Sequence, residues 1–258
     1  MKYQITLLFA FFTFGVLAQP TIIAHRGASY LAPENTVAAA NLAWELGTDA
    51  VEVDVYLTKD KKVMAIHDKD TKRTSPGENS YVIKDTPSEV LRELDAGAWK
   101  DEKYRGEKIP FLSEVIETIP AGKNLVVEIK SGSEIIPYLK SVVENSGKQD
   151  QIIFIAFGWE TILETKNVFP GNKCYWLSSV KEGLEEKMEQ AAGVGLEGIN
   201  LNYKIVDKEL VEKAGKYNLE VLVWTVDNPE IAMELKQAGV VAITTNRPKW
   251  LKEEMEKL

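Results

Sequence analysis

The chain is predicted to fold as an α/β protein, a parallel (β/α)8 TIM barrel with a small insertion over its C-terminal mouth. Three observations predict it. Short β-rich runs alternate with helical patterns along most of the sequence, which calls for parallel strands joined by right-handed crossovers. Nine such runs are present, but two of them are separated by only five residues, Thr58–Lys62. A parallel connection needs about a dozen residues or more, so this pair must be an antiparallel hairpin, which leaves eight parallel strands. The length, 258 residues, is close to the roughly 250 of this architecture. Alternation alone also admits a doubly wound open sheet, and the count of eight favours the barrel.

The first 18 residues are set apart from the fold. Met1-Lys2 supplies a short positive start, Ile5–Leu17 is almost wholly apolar, and Val16-Leu17-Ala18 offers a small-residue cleavage site before Gln19. This is the pattern of a secretory signal peptide. The alternative, a retained anchor, requires an apolar run of roughly 20 residues, and this one is shorter. Cleavage leaves a single domain over 19–258, exported with no stable membrane insertion, and the periplasm is the expected compartment. Losing the leader's one lysine takes the formal charge from −8 to −9. An acidic surface argues against nucleic acid or an anionic membrane as partner. A phosphate substrate remains compatible if a metal and a few cations reverse the sign locally. The lone Cys174 excludes an intramolecular disulfide and reads as a small buried residue, with neither histidine near it in sequence.

Taken in order, the first strand is Ile22–His25, followed by an alanine-rich helical pattern, Pro33–Leu46, that stops at Gly47. Val51–Leu57 and Val63–His67 form the hairpin. With its turn centred on Asp60, Tyr56 is expected roughly opposite Ala65, and Asp54 roughly opposite His67. Lys69–Pro120 is too long for one crossover; the stretch 69–111 reads as an insertion with a short helix at Ser88–Leu94, and Leu112–Ile119 resumes the barrel. Strands are then expected at Leu125–Lys130, Ile152–Phe157, Cys174–Leu177, Gly198–Leu201, Val221–Val226 and Val240–Thr244. Helices Ile135–Glu144, Glu160–Asn167, Glu182–Ala192, Lys208–Tyr217 and Pro229–Ala238 separate them.

The candidate chemistry sits at strand ends. The chain has two histidines, His25 and His67, and each closes an apolar run. Glu52 and Asp54 are two apart in a strand and share its inner face, while Val51, Val53 and Val55 pack under helices. Glu128 and Lys130 repeat the arrangement later. Carboxylates crowded inside a barrel repel one another unless a cation lies between them. Glu52, Asp54 and Glu128 therefore suit a hard divalent ion, Mg²⁺ or Ca²⁺. Arg26 and Lys130 are the natural phosphate ligands, Arg as a fork and Lys as a point charge. Gly27 permits a close backbone approach after the strand. Pro33-Glu34-Asn35-Thr36 reads at least as well as a capped helix start as a catalytic element, although Asn35 is placed to lean into the site. Trp224 is either an apolar wall for a polyol or a core residue. Two imidazoles beside an arginine and paired acids describe an acid–base hydrolase acting on an anion next to a metal.

These residues carry a resemblance. Ala24-His25-Arg26-Gly27, Pro33-Glu34-Asn35-Thr36, Glu52-Val53-Asp54-Val55, Leu57-Thr58-Lys59-Asp60 and His67-Asp68 occur in that order. Arg73-Thr74, Leu94-Asp95-Ala96-Gly97, Ile109-Pro110-Phe111-Leu112, Glu128-Ile129-Lys130 and Val223-Trp224-Thr225-Val226 follow. Together they resemble the glycerophosphodiester phosphodiesterase family over Ile22–Pro248. The resemblance implies a metal-dependent barrel that hydrolyses glycerophosphodiesters to sn-glycerol 3-phosphate and an alcohol. It implies Glu52, Asp54 and Glu128 as metal ligands, His25 and His67 as the acid–base pair, and Arg26 and Lys130 on the phosphate. One departure stands out: Ile243-Thr244-Thr245-Asn246 replaces an Ile-Thr-Asp-like element, and Val241-Ala242 replaces Asp-Gly. At the sequence level this bears on substrate preference more than on chemistry. The rival readings are a phospholipase-like phosphodiesterase acting on intact lipids, which an apolar collar at the mouth would favour, and a secreted binding protein that has lost catalysis.

Overall fold

The computed structural model describes residues 19–258; the expected leader lies outside the described residues. Eight parallel strands close into a barrel: β1 (Thr21–Ala24), β2 (Ala50–Leu57), β4 (Asn124–Ile129), β5 (Ile152–Ala156), β6 (Lys173–Ser178), β7 (Gly198–Asn202), β8 (Glu220–Trp224) and β9 (Ala242–Thr245). The ninth strand, β3 (Val63–Ala65), pairs antiparallel with β2 outside the ring. Closure is made by β1, which pairs with both β2 and β9. The open doubly wound sheet is thereby excluded.

Alternation along the strands divides the core into two shells. Val51, Val53 and Val55 of β2 point outward with Val127 and Ile129 of β4 and pack under the helices. Ile23, Val126, Ile155, Tyr175, Leu177 and Leu222 fill the interior. Burying each outward valine contributes about 1.5–3 kcal/mol relative to exposure, so the acids at positions 52 and 54 are driven inward by their neighbours. Cys174 is fully buried in the outer shell, and burial pushes its thiol up to about 12, which makes it inert packing.

Two expectations need correction. In the hairpin, Tyr56 pairs with Met64, not Ala65. The five-residue loop is symmetric about Asp60, with Thr58 N–H donating to Lys62 O and Lys61 in the left-handed region at φ 64°. Neither arm carries an extra residue, so the register does not slip. Ile66, rather than His67, is bonded to Asp54, through its N–H and the Asp54 carbonyl at 3.0 Å. The first helix, α1 (Val37–Glu45), begins four residues later than Pro33. Thr36 caps it, accepting from the Ala39 N–H at 3.1 Å, and that frees Glu34 and Asn35 from the helix.

The insertion folds on β3 as a small satellite core of Met64, Ile66, Ile83, Leu91, Ala96 and Ile109. Its short helix α2 (Ser88–Glu93) is held by Asp60, which accepts from both the Ser88 N–H and its hydroxyl at 2.7 Å. A final helix, α9 (Pro248–Met255), lies beyond the expected elements and packs beside β1 and β9. Among the described residues no helix is long and apolar enough to cross a membrane.

Candidate active site

The site forms where β1, β2 and β4 end. Register places Asp54 beside Glu128 on the neighbouring strand and Glu52 one inward-facing position below. Oxygen atoms of Glu52, Asp54 and Glu128 lie within 4.8 Å of one another. Glu52 and Asp54 are almost wholly buried, at 2% and 1% exposure. Burial, then the Asp54 and Glu128 charges, pushes Glu52 well above the usual carboxylate range. Glu128 is raised by burial and Asp54. The Oε1 atom of Glu52 is buried without a hydrogen-bond partner. An orphaned carboxylate oxygen facing two more carboxylates is a donor set that fits a hard divalent cation.

The chain turns sharply after β1. His25 continues the β1–β9 ladder by donating its N–H to Thr245 O at 2.9 Å. Arg26 then adopts φ 55°, and its N–H donates to Glu52 Oε2 at 2.9 Å. Left-handed backbone costs a non-glycine residue roughly 1–2 kcal/mol, and this charge-assisted bond offsets it. Gly27, at φ 77°, lies so close to α1 that a Cβ would come within 2.6 Å of the Ala39 carbonyl carbon. The Arg26 guanidinium donates to Glu34 Oε1 at 2.8 Å, with its Nε 3.3 Å from Asp54. Lys130 donates to Glu128 at 2.8 Å and lies 3.6 Å from Asp54.

Asn35 does lean into the site, as the sequence anticipates, but both ends of its amide engage Asp54. Nδ2 donates to Asp54 Oδ2 at 2.9 Å, and Oδ1 accepts from the Asp54 N–H at 3.0 Å. It supports a carboxylate rather than facing the mouth. Trp224 rests on the inner core, donates from Nε1 to Asn200 O at 3.2 Å, and meets the ring of Phe157 edge-on at 5.6 Å. It therefore belongs to the upper edge of the barrel interior, with Phe157 between it and Lys130, whose Nζ is 6.0 Å from the Phe157 ring centre.

His67 follows β3. Its Nδ1 is 2.6 Å from Asp68 Oδ1. Asp68 also accepts from Arg73 Nε at 2.7 Å, and the other two Arg73 nitrogens donate to both oxygens of Glu34 at 2.7 Å. A continuous chain, Arg26–Glu34–Arg73–Asp68–His67, thus joins the two histidine-bearing elements. His25 Nδ1 lies 2.8 Å from Asn246 Oδ1. Burial and then the Arg26 charge lower its pKa.

Sequence reading gave no structural role to Asp68, Arg73 or Asp227, and read Glu34 as part of a helix start. The signal was the motif text itself, His67-Asp68 and Arg73-Thr74, but the partners lie 39 residues apart for Arg73 and Glu34 and 221 apart for His25 and Asn246. No local pattern announces such contacts.

The profile of the glycerophosphoryl diester phosphodiesterase family matches residues 25–250. A glycerophosphodiester phosphodiesterase of Caldanaerobacter subterraneus subsp. tengcongensis is 36% identical over 235 residues, covering 89% of this chain and 95% of that protein. One from Bacillus subtilis is 29% identical over 250 residues, covering 88% and 83%. The structure of an Oleispira antarctica phosphodiesterase, in complex with the product sn-glycerol-3-phosphate, superposes with a TM-score of 0.85 at 30% identity. It covers 92% of this chain and 97% of that one. A barrel whose first strand presents His25 and Arg26 to three inward acids, matched along nearly its whole described length, belongs to the glycerophosphoryl diester phosphodiesterase family of hydrolases.

Proposed function

We propose that the mouth of this barrel hydrolyses glycerophosphodiesters to sn-glycerol 3-phosphate and an alcohol, with His25 and His67 moving the protons. The observation that carries the reading is a cluster of three inward carboxylates met by Arg26 and Lys130, with His25 next to Arg26 and His67 tied to the same turn through Asp68, Arg73 and Glu34. Three acids face Arg26 and Lys130, so the fully ionised cluster keeps one uncompensated negative charge. Glu52, Asp54 and Glu128 would hold a divalent cation, Mg²⁺ or Ca²⁺, which would reverse that sign and supply Lewis-acid polarisation of the phosphate. Arg26 and Lys130 orient the phosphodiester oxygens. Each histidine has its Nδ1 anchored, leaving Nε2 for the substrate. One takes the nucleophile's proton and the other protonates the leaving alkoxide, each step contributing roughly 10²–10⁴-fold. Trp224 and Phe157 offer the glycerol an apolar wall. The Oleispira antarctica complex with sn-glycerol-3-phosphate supports the same substrate class here.

The expected result is that His25→Ala and His67→Ala each lose hydrolysis of glycerophosphocholine by at least about 100-fold while keeping the wild-type circular dichroism. Near-wild-type turnover in either variant overturns the acid–base assignment. EDTA is expected to stop the reaction, and a series of added Mg²⁺ and Ca²⁺ identifies the ion.

A second reading has one observation in its favour. Tyr30, Leu31, Phe157 and Val180 follow barrel strands at the mouth and are 45–57% exposed. Apolar rim residues suit substrates presented at a lipid surface. Phospholipid vesicles offered beside their deacylated diesters separate the two readings. The leader motif supports export, and cell fractionation with N-terminal sequencing of the mature chain tests it.

A further inference from the structure

The ring of His25 is held by a relay that begins on β8 and β9. Asp227 Oδ1 accepts from the Asn246 N–H at 2.8 Å and from the Thr245 hydroxyl at 2.7 Å. Its Oδ2 accepts from Asn246 Nδ2 at 2.6 Å. The Asp227 side chain therefore meets donors alone. That fixes the orientation of the Asn246 amide, because its nitrogen must face the carboxylate and its oxygen must face away. The oxygen so aimed meets His25 Nδ1 at 2.8 Å and the Ser29 hydroxyl at 3.2 Å. A carbonyl oxygen only accepts, so the imidazole nitrogen opposite it has to carry the proton.

We propose that Asn246 and Asp227 are positioning residues that lock His25 in its Nδ1–H tautomer and so leave Nε2 as the atom that exchanges a proton with the substrate. This rests on His25 being one of the acid–base pair. The device differs from that at His67, whose Nδ1 is anchored by the carboxylate of Asp68. At His25 the contact is a neutral amide, and the negative charge stands one residue further back, on Asp227. The arrangement orients the ring without placing a carboxylate against it, in a site already crowded with Glu34, Asp54 and the Arg26 cation. It also gives a structural meaning to Asn246, whose place at the rim suggests substrate preference when seen in sequence alone.

The test reads the tautomer directly. The full chain has two histidines, so long-range ¹H–¹⁵N correlation spectra of the ¹⁵N-labelled protein with Mg²⁺ at pH 8 show one pattern for each, assigned with His67→Gln. The wild type is expected to show His25 protonated at Nδ1 and unprotonated at Nε2. Asn246→Leu is expected to lose that pattern and to lower kcat at least about tenfold, as wrong-tautomer variants of catalytic histidines do, with KM changed less. Asn246→Asp alone sets a carboxylate against that of Asp227, whereas the exchanged pair Asn246→Asp with Asp227→Asn keeps an acceptor at Nδ1 and a donor facing it, so it retains the tautomer and recovers most of kcat. Asp227→Ala frees the amide to flip and gives a mixed spectrum. An Nε2–H tautomer in the wild type, an unchanged tautomer in Asn246→Leu, or unchanged kcat despite a lost tautomer overturns the proposal. Retained activity in His25→Ala removes instead the functional reading on which it rests, and the spectrum distinguishes the two failures.

Discussion

At the scale of single residues, the site stores unfavourable electrostatics that a bound cation would relieve. Glu52 is the clearest case, being buried, raised well above its ordinary pKa and holding an orphaned oxygen. Glu52→Gln removes the charge while keeping the shape. The variant is expected to melt at or slightly above the wild-type temperature in EDTA, because an unpaired buried acid is costly. It is also expected to lose the rise in melting temperature that added Mg²⁺ or Ca²⁺ gives the wild type. Differential scanning calorimetry with and without metal checks both, and an undiminished metal shift in the variant removes Glu52 from the ligand set. Asn35 shows how closely one residue is committed: its left-handed backbone, at φ 57°, lets the amide clamp Asp54 from two sides.

At the scale of elements, two connections position the chemistry. The β1–α1 turn depends on Gly27, where any side chain meets both a strained φ and the Ala39 backbone. Gly27→Ala is expected to destabilise the fold by about 1–3 kcal/mol, read as a lower urea midpoint at unchanged slope. The insertion is latched to this turn through Arg73, which bridges Glu34 and Asp68. Burial opposes ionisation of Asp68, but hydrogen bonds from Arg73 and His67 outweigh it and hold the carboxyl at about 2, down from 3.8. A depressed acid contributes its stabilisation fully above the unfolded pKa and loses it as pH falls through the folded one. Asp68→Asn should therefore flatten the loss of melting temperature between pH 4 and pH 2 relative to wild type. An equal loss in both would show that the latch adds no pH-dependent stability.

At the scale of the molecule, the barrel is closed by partners from opposite ends of the chain, β1 with β9, and then covered by α9. Leu251 of α9 is fully buried in the outer core, so Leu251→Ala is expected to cost about 2–5 kcal/mol, measurable by denaturant titration. This closure also makes the proposed arrangement around His25. Asn246 reaches His25 only because the last strand lies against the first. Closure brings basic residues to an acidic protein's working face as well, since Arg26, Arg73 and Lys130 all converge on the mouth acids.

The alternation of β-branched runs and helical patterns and the five-residue hairpin loop favour a barrel over an open sheet, and the spacing of Glu52 and Asp54, repeated at Glu128, marks its inner face and its acids; closure itself is made by β1 pairing with both β2 and β9. Alternation and spacing are properties of period and length, which act over a few residues. No expected element covers α9, and the expected hairpin register lies one residue from the observed one, in which the symmetric loop sets Tyr56 opposite Met64. The tertiary structure alone decided which partner holds each proposed catalytic group: Asp68 and Arg73 behind His67, Glu34 between two arginines, Asp227 and Asn246 behind His25. Asp68 beside His67, Arg73 with Asp68 and Arg26 with Glu34 are near in sequence, but Arg73 with Glu34 and Asn246 with His25 join positions 39 and 221 residues apart. A hydrogen-bond partner at such a distance is set by where closure of the barrel delivers it, and local sequence carries no record of that.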